Sequence, residues 1–404
     1  MGGSVMAVVI NGTTGIDKVQ DGSIGTVDIA ADAITNPKIA DTVTLGRRNL
    51  IINGDMKIAQ RGDSVTAMAN AGYFEGPDRF RRSMNQSGGH EVTRERTTEV
   101  PAGSGLSYSL KETITTAGDE VNSKWAHRPI DYRIEGQDVQ HLQHGTSNAK
   151  SVTLSFWVRS NKTGTASVLM SSYDSSSGSR HIAPRYTINA ANTWEYKTIT
   201  VAGDTGGNGI KNDHNTGFGF VFYGAAGAGY QVADQSSAWG AGADNWWYGC
   251  TLDINNVNDF IQFAGLQLEV GDTATPFEHR TYKEQLADCQ RYLMQWNSTN
   301  NTYDLIFPGM VVDSDDAQAT WQPPVTMRAT PTYSYSDATH VCLNYAGGNN
   351  ASPVNFNIRT IYNKAPYMYV NMDLNTNSLT TGQIIYFSFA NSTTGGWARL
   401  TSEL

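Results

Sequence analysis

Chemistry at a protein site needs nucleophiles, acids and bases or metal ligands at set spacings, and this 404-residue sequence offers few. It has no nucleophile elbow, zinc-binding helix motif, phosphate loop or dinucleotide fingerprint. Its densest carboxylates, Asp313-Ser-Asp-Asp316, are neighbours in sequence. That suits a solvated turn better than the two separated carboxyls of a glycosidase. His141 and His144 lack a third ligand. Cys250, Cys289 and Cys342 are odd in number, far apart and without a C-x-x-C pair, so neither a disulfide framework nor a zinc site is expected. The sequence therefore reads as non-enzymatic and without a cofactor, which leaves recognition. Tyr345, Tyr367, Tyr369 and Trp397 stand in a stretch, 293–404, where 11 of 112 residues are charged and 13 are Asn. Rings among amides and hydroxyls suit sugar binding. They suit a close inter-subunit contact equally well, and alternating tyrosines can instead face a core.

Such residues must be positioned by β structure. Charged residues make up 17% of the chain, against roughly 25% in ordinary soluble domains. Gly, Ser, Thr and Asn fill the difference. With 9 Trp, 19 Tyr and 13 Phe the chain has ample surface to bury, which argues against disorder. The net charge of −9 is spread without a long run of one sign, so neither nucleic acid nor an anionic membrane is an expected partner. Arg79-Phe80-Arg81-Arg82 is the densest basic stretch and is expected at a solvated or inter-chain surface. No apolar run approaches the ~18 residues that cross a bilayer. No signal-peptide pattern opens the sequence, so folding in a reducing cytosol and no exit by secretion are expected.

Val152, Leu154, Phe156 and Val158 alternate with Thr153, Ser155, Trp157 and Arg159, the period of a strand with one buried face. Trp194–Val201 alternates likewise, Phe218, Phe220 and Phe222 mark a third strand, and Phe260–Ala264 begins a fourth. Gly- and Ser-rich loops separate them, the pattern of a sandwich or jelly roll. Before this region Ile24, Ile29, Ile34 and Ile39 recur every five residues, a period of neither helix nor strand. They suit several chains wrapping one axis as a thin stalk, or else a linker. After it, Glu278–Trp296 reads as the one helix, with Leu286, Cys289, Leu293 and Trp296 as a ridge at spacings of 3, 4 and 3. Thr332–Ser336, Tyr367–Asn371 and Ile384–Phe389 then return to strand.

Several phrases resemble a known family. Asn49-Leu-Ile-Ile-Asn-Gly-Asp-Met56 looks like the first strand of the carbohydrate-binding-module jelly rolls of bacteriophage tail proteins. Asp78-Arg79-Phe80, Val152–Val158, Gly265–Gly271 and Ala274–Glu278 are similar to later phrases of those modules. Leu286-Ala-Asp-Cys-Gln-Arg-Tyr292 and Pro324-Val-Thr-Met-Arg-Ala-Thr-Pro331 are similar, in the same order, to signatures that follow the sandwich in phage tail fibres. The resemblance implies sugar stacking, for which Trp239, Trp246, Trp247 and Tyr248 are candidates; the duller reading makes them core or interface. It also implies a structural calcium ion, for which Asp55 and Glu269 are the matching carboxylates, short of the 6–8 oxygens calcium takes.

The expected protein is mostly β. A thin trimeric stalk (1–47) leads to a β-sandwich jelly roll (48–280), a short helical connector (281–296) and a C-terminal β-sandwich head (297–404). The expected function is that of a homotrimeric phage tail fibre in the virion tail, assembled in the host cytoplasm. Its N-terminus would dock on tail tube, adaptor or baseplate proteins, and it would bind host surface polysaccharide or lipopolysaccharide. The isoleucines and the Leu286–Trp296 ridge would form the trimer seam. A structural adaptor, nozzle or baseplate piece and, less so, a polysaccharide depolymerase are the rival readings.

Overall fold

The computed structural model describes residues 47–404 except 70–71, 74, 86–89, 119–124, 175–177, 242–244, 299–304, 314–315, 338–339, 346–355, 365–366, 375–379 and 390–394. Backbone alone is described for the strands within 341–374 and for residues 84–85, 174, 305, 307 and 320–321. The stalk isoleucines Ile24, Ile29, Ile34 and Ile39 lie outside the described residues. Arg47–Leu404 forms one compact unit.

The first part of that unit carries β1 (Ser64–Met68), β2 (Arg81–Asn85), β3 (Glu91–Thr97), β4 (Ser109–Thr116), β5 (Ala126–Glu135), β6 (Val152–Ser160) and β7 (Gly164–Asp174). It continues with β8 (Gly178–Ile182), β9 (Arg185–Ile188), β10 (Glu195–Val201), β11 (Thr216–Phe222), β12 (Ala225–Ala226) and β13 (Phe260–Val270). Two antiparallel sheets result. One runs β1-β3-β4-β13-β6-β10 and the other β12-β5-β11-β7-β8, with β2 beside β5 and β9 beside β7. The inward residues of the period-two strands meet between them: Phe156 of β6 contacts Phe222 of β11 at 4.8 Å, and Phe222 contacts Phe263 of β13 at 4.6 Å. This is a face-to-face β-sandwich.

The opening segment departs from expectation. Asn49–Met56 is a series of turns, not a strand, with Asn53 and Met56 at φ 62° and 61°. It still lies along β13. Asn49 Oδ1 accepts from Leu268 N (3.0 Å) and Gly54 O accepts from Leu266 N (2.9 Å).

The helix α1 spans Tyr282–Gln290 and opens with a capping box between Thr281 and Glu284. It is shorter than expected, because β14 (Leu293–Asn297) follows directly. Leu293 and Trp296 are therefore strand residues, and no helical ridge runs from Leu286 to Trp296. Cys289 and Leu293 are fully buried within the one chain, while Leu286 and Trp296 are half-buried. Long β-type pairing of Leu293–Asn297 with the chain's end overrode a helical spacing that fits either structure over so few residues.

The head adds β15 (Leu305–Val311), β16 (Asp316–Trp321), β17 (Thr332–Tyr335), β18 (Val341–Tyr345), β19 (Phe356–Lys364), β20 (Tyr367–Leu374), β21 (Ile384–Phe389) and β22 (Trp397–Thr401). A three-stranded sheet, β14-β22-β17, faces a six-stranded one, β18-β21-β15-β16-β20-β19. Met294, Ile385, Phe387 and Leu400 are among the residues of their shared core.

The two parts are joined by buried charge. Arg79 Nη1 reaches Glu403 at 2.7 Å and its guanidinium lies 3.4 Å from the Tyr292 ring centroid. Arg291 pairs with Glu135 at 2.7 Å, and the Tyr292 hydroxyl donates to Glu135 (2.6 Å). The expectation that Arg79–Arg82 forms a solvated surface is thus wrong for all but Arg81, which is partly exposed and pairs with Asp131. Phe80 is core, and Arg82 is fully buried beside Glu112 (3.5 Å). Each of these buried cations has a carboxylate partner, which is what makes such burial tolerable.

Glu112 is the hub of a second buried set, touching Arg82, Arg94 and His127, with His90 beside them. Burial would raise its carboxyl, yet the His127 hydrogen bond and the charges of Arg94 and Arg82 outweigh that and bring it down to about 2. Burial, then His127 and Arg82, push His90 down to about 3. Burial lowers His127, His144 and His181 as well. Below the ordinary histidine value the unfolded chain takes protons that these folded side chains refuse, so stability falls with pH from about 6.5. The contribution of Glu112 is complete above the ordinary carboxyl value and is lost as pH falls towards 2. Asp78, raised by burial to about 6, and Asp138, also raised by burial, work in the opposite sense but are outnumbered by the lowered histidines and carboxylates. The melting temperature should fall steadily on acidification below about pH 6.5, and Glu112→Gln should cost roughly 3–5 kcal/mol by stranding two guanidiniums; an acid-stabilised protein contradicts this.

Candidate functional site

Strand β6 shows how a site is placed on the outer face of the sandwich. Leu154, Phe156 and Val158 are fully buried, so Ser155 and Trp157 point the other way. On β10 the same alternation turns Ile199 and Val201 inward and Tyr196 and Thr198 outward. Tyr196 pairs directly with Trp157. Their ring centroids are 5.2 Å apart with planes at 55°, and Tyr196 is 46% exposed, one of the few large apolar side chains so open.

The other neighbour of β6 makes room for the indole. Across from Trp157, β13 breaks register between Ala264 and Gln267. The extra residue is Gly265, at φ 58°, a glycine-type bulge. A Cβ there would lie 2.8 Å from Leu106 Cδ1 and 3.5 Å from Trp157 Cδ1. The backbone amide freed by the bulge, Leu266 N, is taken by Gly54 O, and Leu266 O accepts from Asn49 Nδ2 (3.0 Å). Walls from 104–106 and 274–277 complete a groove of about 600 Å³. That lies in the usual range for ligand sites.

Its lining is Ser104, Leu106, Ser155, Trp157, Tyr196, Thr198, Gly265, Ala274, Thr275, Pro276 and Phe277. Rings and apolar groups thus alternate with hydroxyls, the chemistry that matches a sugar's apolar face and its rim of hydroxyls.

Of the aromatic residues singled out from sequence, those whose side chains are described do not assemble into such a platform. Trp247 is buried in the sandwich core, while Trp246 stacks on Tyr230 (5.1 Å, 15°) under the Arg128 guanidinium. Trp239 packs edge-on against His144 at 5.4 Å and donates its indole N–H to Ala202 O (2.7 Å). Tyr248 is 43% exposed in the same turn, but those neighbours face elsewhere. Trp397 is half-buried with the Arg399 guanidinium 3.4 Å from its ring centroid, so one face is already covered. Tyr345, Tyr367 and Tyr369 lie in β18 and β20, and their side chains are outside the described residues. Trp157 and Tyr196 belong to two runs whose alternation was visible in the sequence, but which face each would take was not.

The calcium expectation does not fit the residues present. Glu269 accepts from Thr275 N (3.0 Å), Thr275 Oγ1 and Gln267 Nε2 (2.9 Å). Asp55 pairs with Lys57 at 2.7 Å and accepts from Gln285 (2.9 Å). Asp55 Oδ1 and Gln285 Oε1 are buried without a hydrogen-bond partner, but two oxygens fall well short of a calcium shell. Among the described residues no group of three or more His, Cys, Asp or Glu could hold a metal.

A second groove, about 320 Å³, is lined by Arg47, Arg79, Arg133, Arg280 and Arg291. Every one of them has a carboxylate partner: Asp288 for Arg47 and Arg280, Glu403, Asp131 and Glu135 for the others. Those cations are spoken for, so the aromatic groove is the stronger candidate.

No protein-family model matches the chain, and no curated protein matches it. Among solved structures it is similar to the enzymatically active domain of bacteriophage CBA120 tailspike protein 4, at 12% identity and TM-score 0.31 over 55% of this chain. The chain spans about a fifth, 21%, of that protein's length. It is also similar to a family 11 carbohydrate-binding module from Clostridium thermocellum in complex with a β-1,3-1,4-mixed-linked tetrasaccharide (13% identity, TM-score 0.24, 54% of this chain and 99% of that one). A family 16 carbohydrate-binding module gives 9% identity and TM-score 0.23 over 43% of this chain and 84% of that one. Likeness this low decides nothing about binding. What the coordinates define is a two-sheet antiparallel β-sandwich with an aromatic, hydroxyl-lined groove on one outer face.

The packing separates core from site by stability. Trp247→Ala should cost about 3–5 kcal/mol in urea unfolding, as for a buried large aromatic, and Trp157→Ala clearly less; equal losses would make Trp157 a core residue.

Proposed function

We propose that this chain is a glycan-binding component of a phage tail, a fibre in the virion that attaches to host surface polysaccharide or lipopolysaccharide through the Trp157–Tyr196 groove. The observation that carries the reading is that solvent-facing aromatic pair, held over a bulge and ringed by hydroxyls. The phrases at Asn49–Met56, Leu286–Tyr292 and Pro324–Pro331, with their resemblance to tail-fibre sequences, support the placement in a tail. The role is binding, not catalysis. The protein acts as a homotrimer, so that weak single sites combine into firm attachment.

A specific feature favours the rival, a purely structural tail adaptor. On the outer face of the head's large sheet, Met310 and Ile384 pair across β15 and β21 with Pro308 and Tyr386 beside them. Met310 is 48%, Ile384 59% and Tyr386 42% exposed, an apolar row of the kind that meets another protein.

Glycan-array and calorimetric binding should weaken at least tenfold in Trp157→Ala and in Tyr196→Ala, about 1.4 kcal/mol each, and stay within twofold in Trp246→Ala. A blank array would favour the adaptor. Light scattering should give three times the 43.9 kDa chain mass; a mass of one chain excludes the trimer.

A further inference from the structure

We infer that the Trp157–Tyr196 groove takes an uncharged glycan and turns away sugars that carry a carboxylate or phosphate. This rests on the reading of the groove as a glycan site and goes further by fixing the ligand's charge class.

The lining contains no Lys, Arg, His, Asp or Glu. Its polar groups are the hydroxyls of Ser104, Ser155, Tyr196, Thr198 and Thr275. Hydroxyls exchange neutral hydrogen bonds with sugar hydroxyls, whereas taking a carboxylate out of water requires charge-assisted partners. No cation is among the lining residues; Arg48, outside the wall, spends a guanidinium N–H on Pro276 O (3.3 Å). Arg159 lies two residues along β6 from Trp157, about 6.6 Å by strand rise. Its guanidinium is bound to Glu99 (3.1 Å) and Asn192 O (3.2 Å) and held over the Phe260 ring. Lys197, next to Tyr196 in sequence, belongs to the opposite side of β10 and pairs with Glu195 at 2.7 Å.

A buried acidic side chain also backs the wall. Glu269 is buried directly behind Thr275, accepting from its N–H and its hydroxyl as well as from Gln267. An acidic sugar against Thr275 would therefore meet another carboxyl behind that residue instead of a cationic partner. A neutral sugar loses nothing there.

The test titrates the full chain with matched oligosaccharides: gluco-, manno- and galacto-oligomers, and their uronic-acid counterparts with the same rings and linkages. The neutral member of at least one pair should bind at least tenfold tighter than its uronate, equally at low and high salt, and lose that binding in Trp157→Ala. Thr198→Lys, on the exposed edge of the groove, should raise uronate affinity several-fold without changing the fold by circular dichroism. Uronate binding that equals or exceeds the neutral sugar and disappears in Trp157→Ala overturns the charge inference and leaves the glycan reading intact. If no member of either set binds, the glycan reading itself is overturned.

Discussion

The groove exists because β13 changes, half-way along, which of its residues face the core. Up to Phe263 the odd positions point inward; from Leu266 the even ones do, and the single glycine at 265 absorbs the shift. A side chain at 265 would strike Leu106 and crowd Trp157. The bulge also leaves a backbone N–H and C=O unpaired in a region that water does not reach. The opening segment supplies both partners, Gly54 O and Asn49 Nδ2. One local irregularity therefore ties the start of the chain to the last strand of the sandwich and lays the indole against the backbone.

A second constraint is electrostatic. Arg79, Arg82 and Arg94 are among the largest fully buried side chains. Each is fixed by a carboxylate from another strand or segment, so the ion pairs act as registers between strands and between sandwich and head. The Arg79–Glu403 pair and the Arg291–Glu135 pair do this across the join. Removing one partner costs far more than the pair contributes as a whole, which makes these positions intolerant of change without any role in binding.

Period-two patterns made the strands legible: β6, β10 and β11 lie where alternation places them, and β21 where an apolar run reads as a core strand. The same patterns held the outward pair Trp157 and Tyr196, but nothing in one sequence says that β6 and β10 are neighbours in register. Dense aromatic runs drew attention to Trp246-Trp247 instead, where a turn sends one ring into the core and stacks the other on Tyr230. The basic run Arg79–Arg82 misled for a related reason, since its counter-charges Glu112, Asp131 and Glu403 come from distant segments. The helix was read too long because spacings of 3 and 4 over so few turns do not exclude a strand beginning at Leu293. The phrases of Cys289–Tyr292 and Met327–Arg328 gain a physical meaning here. Cys289 is fully buried, Met327 fills the head's core, and Arg291, Tyr292 and Arg328 fasten head to sandwich.

The central claim is that ligand meets the outer face of β6 and β10. Indole N–H resonances of the nine tryptophans report on it most directly, followed by NMR while host polysaccharide fragments are added. The Trp157 resonance should move progressively and saturate, with those of Trp239, Trp246, Trp247 and Trp397 unmoved. Saturating shifts at Trp246 or Trp397 with Trp157 unmoved would contradict the account.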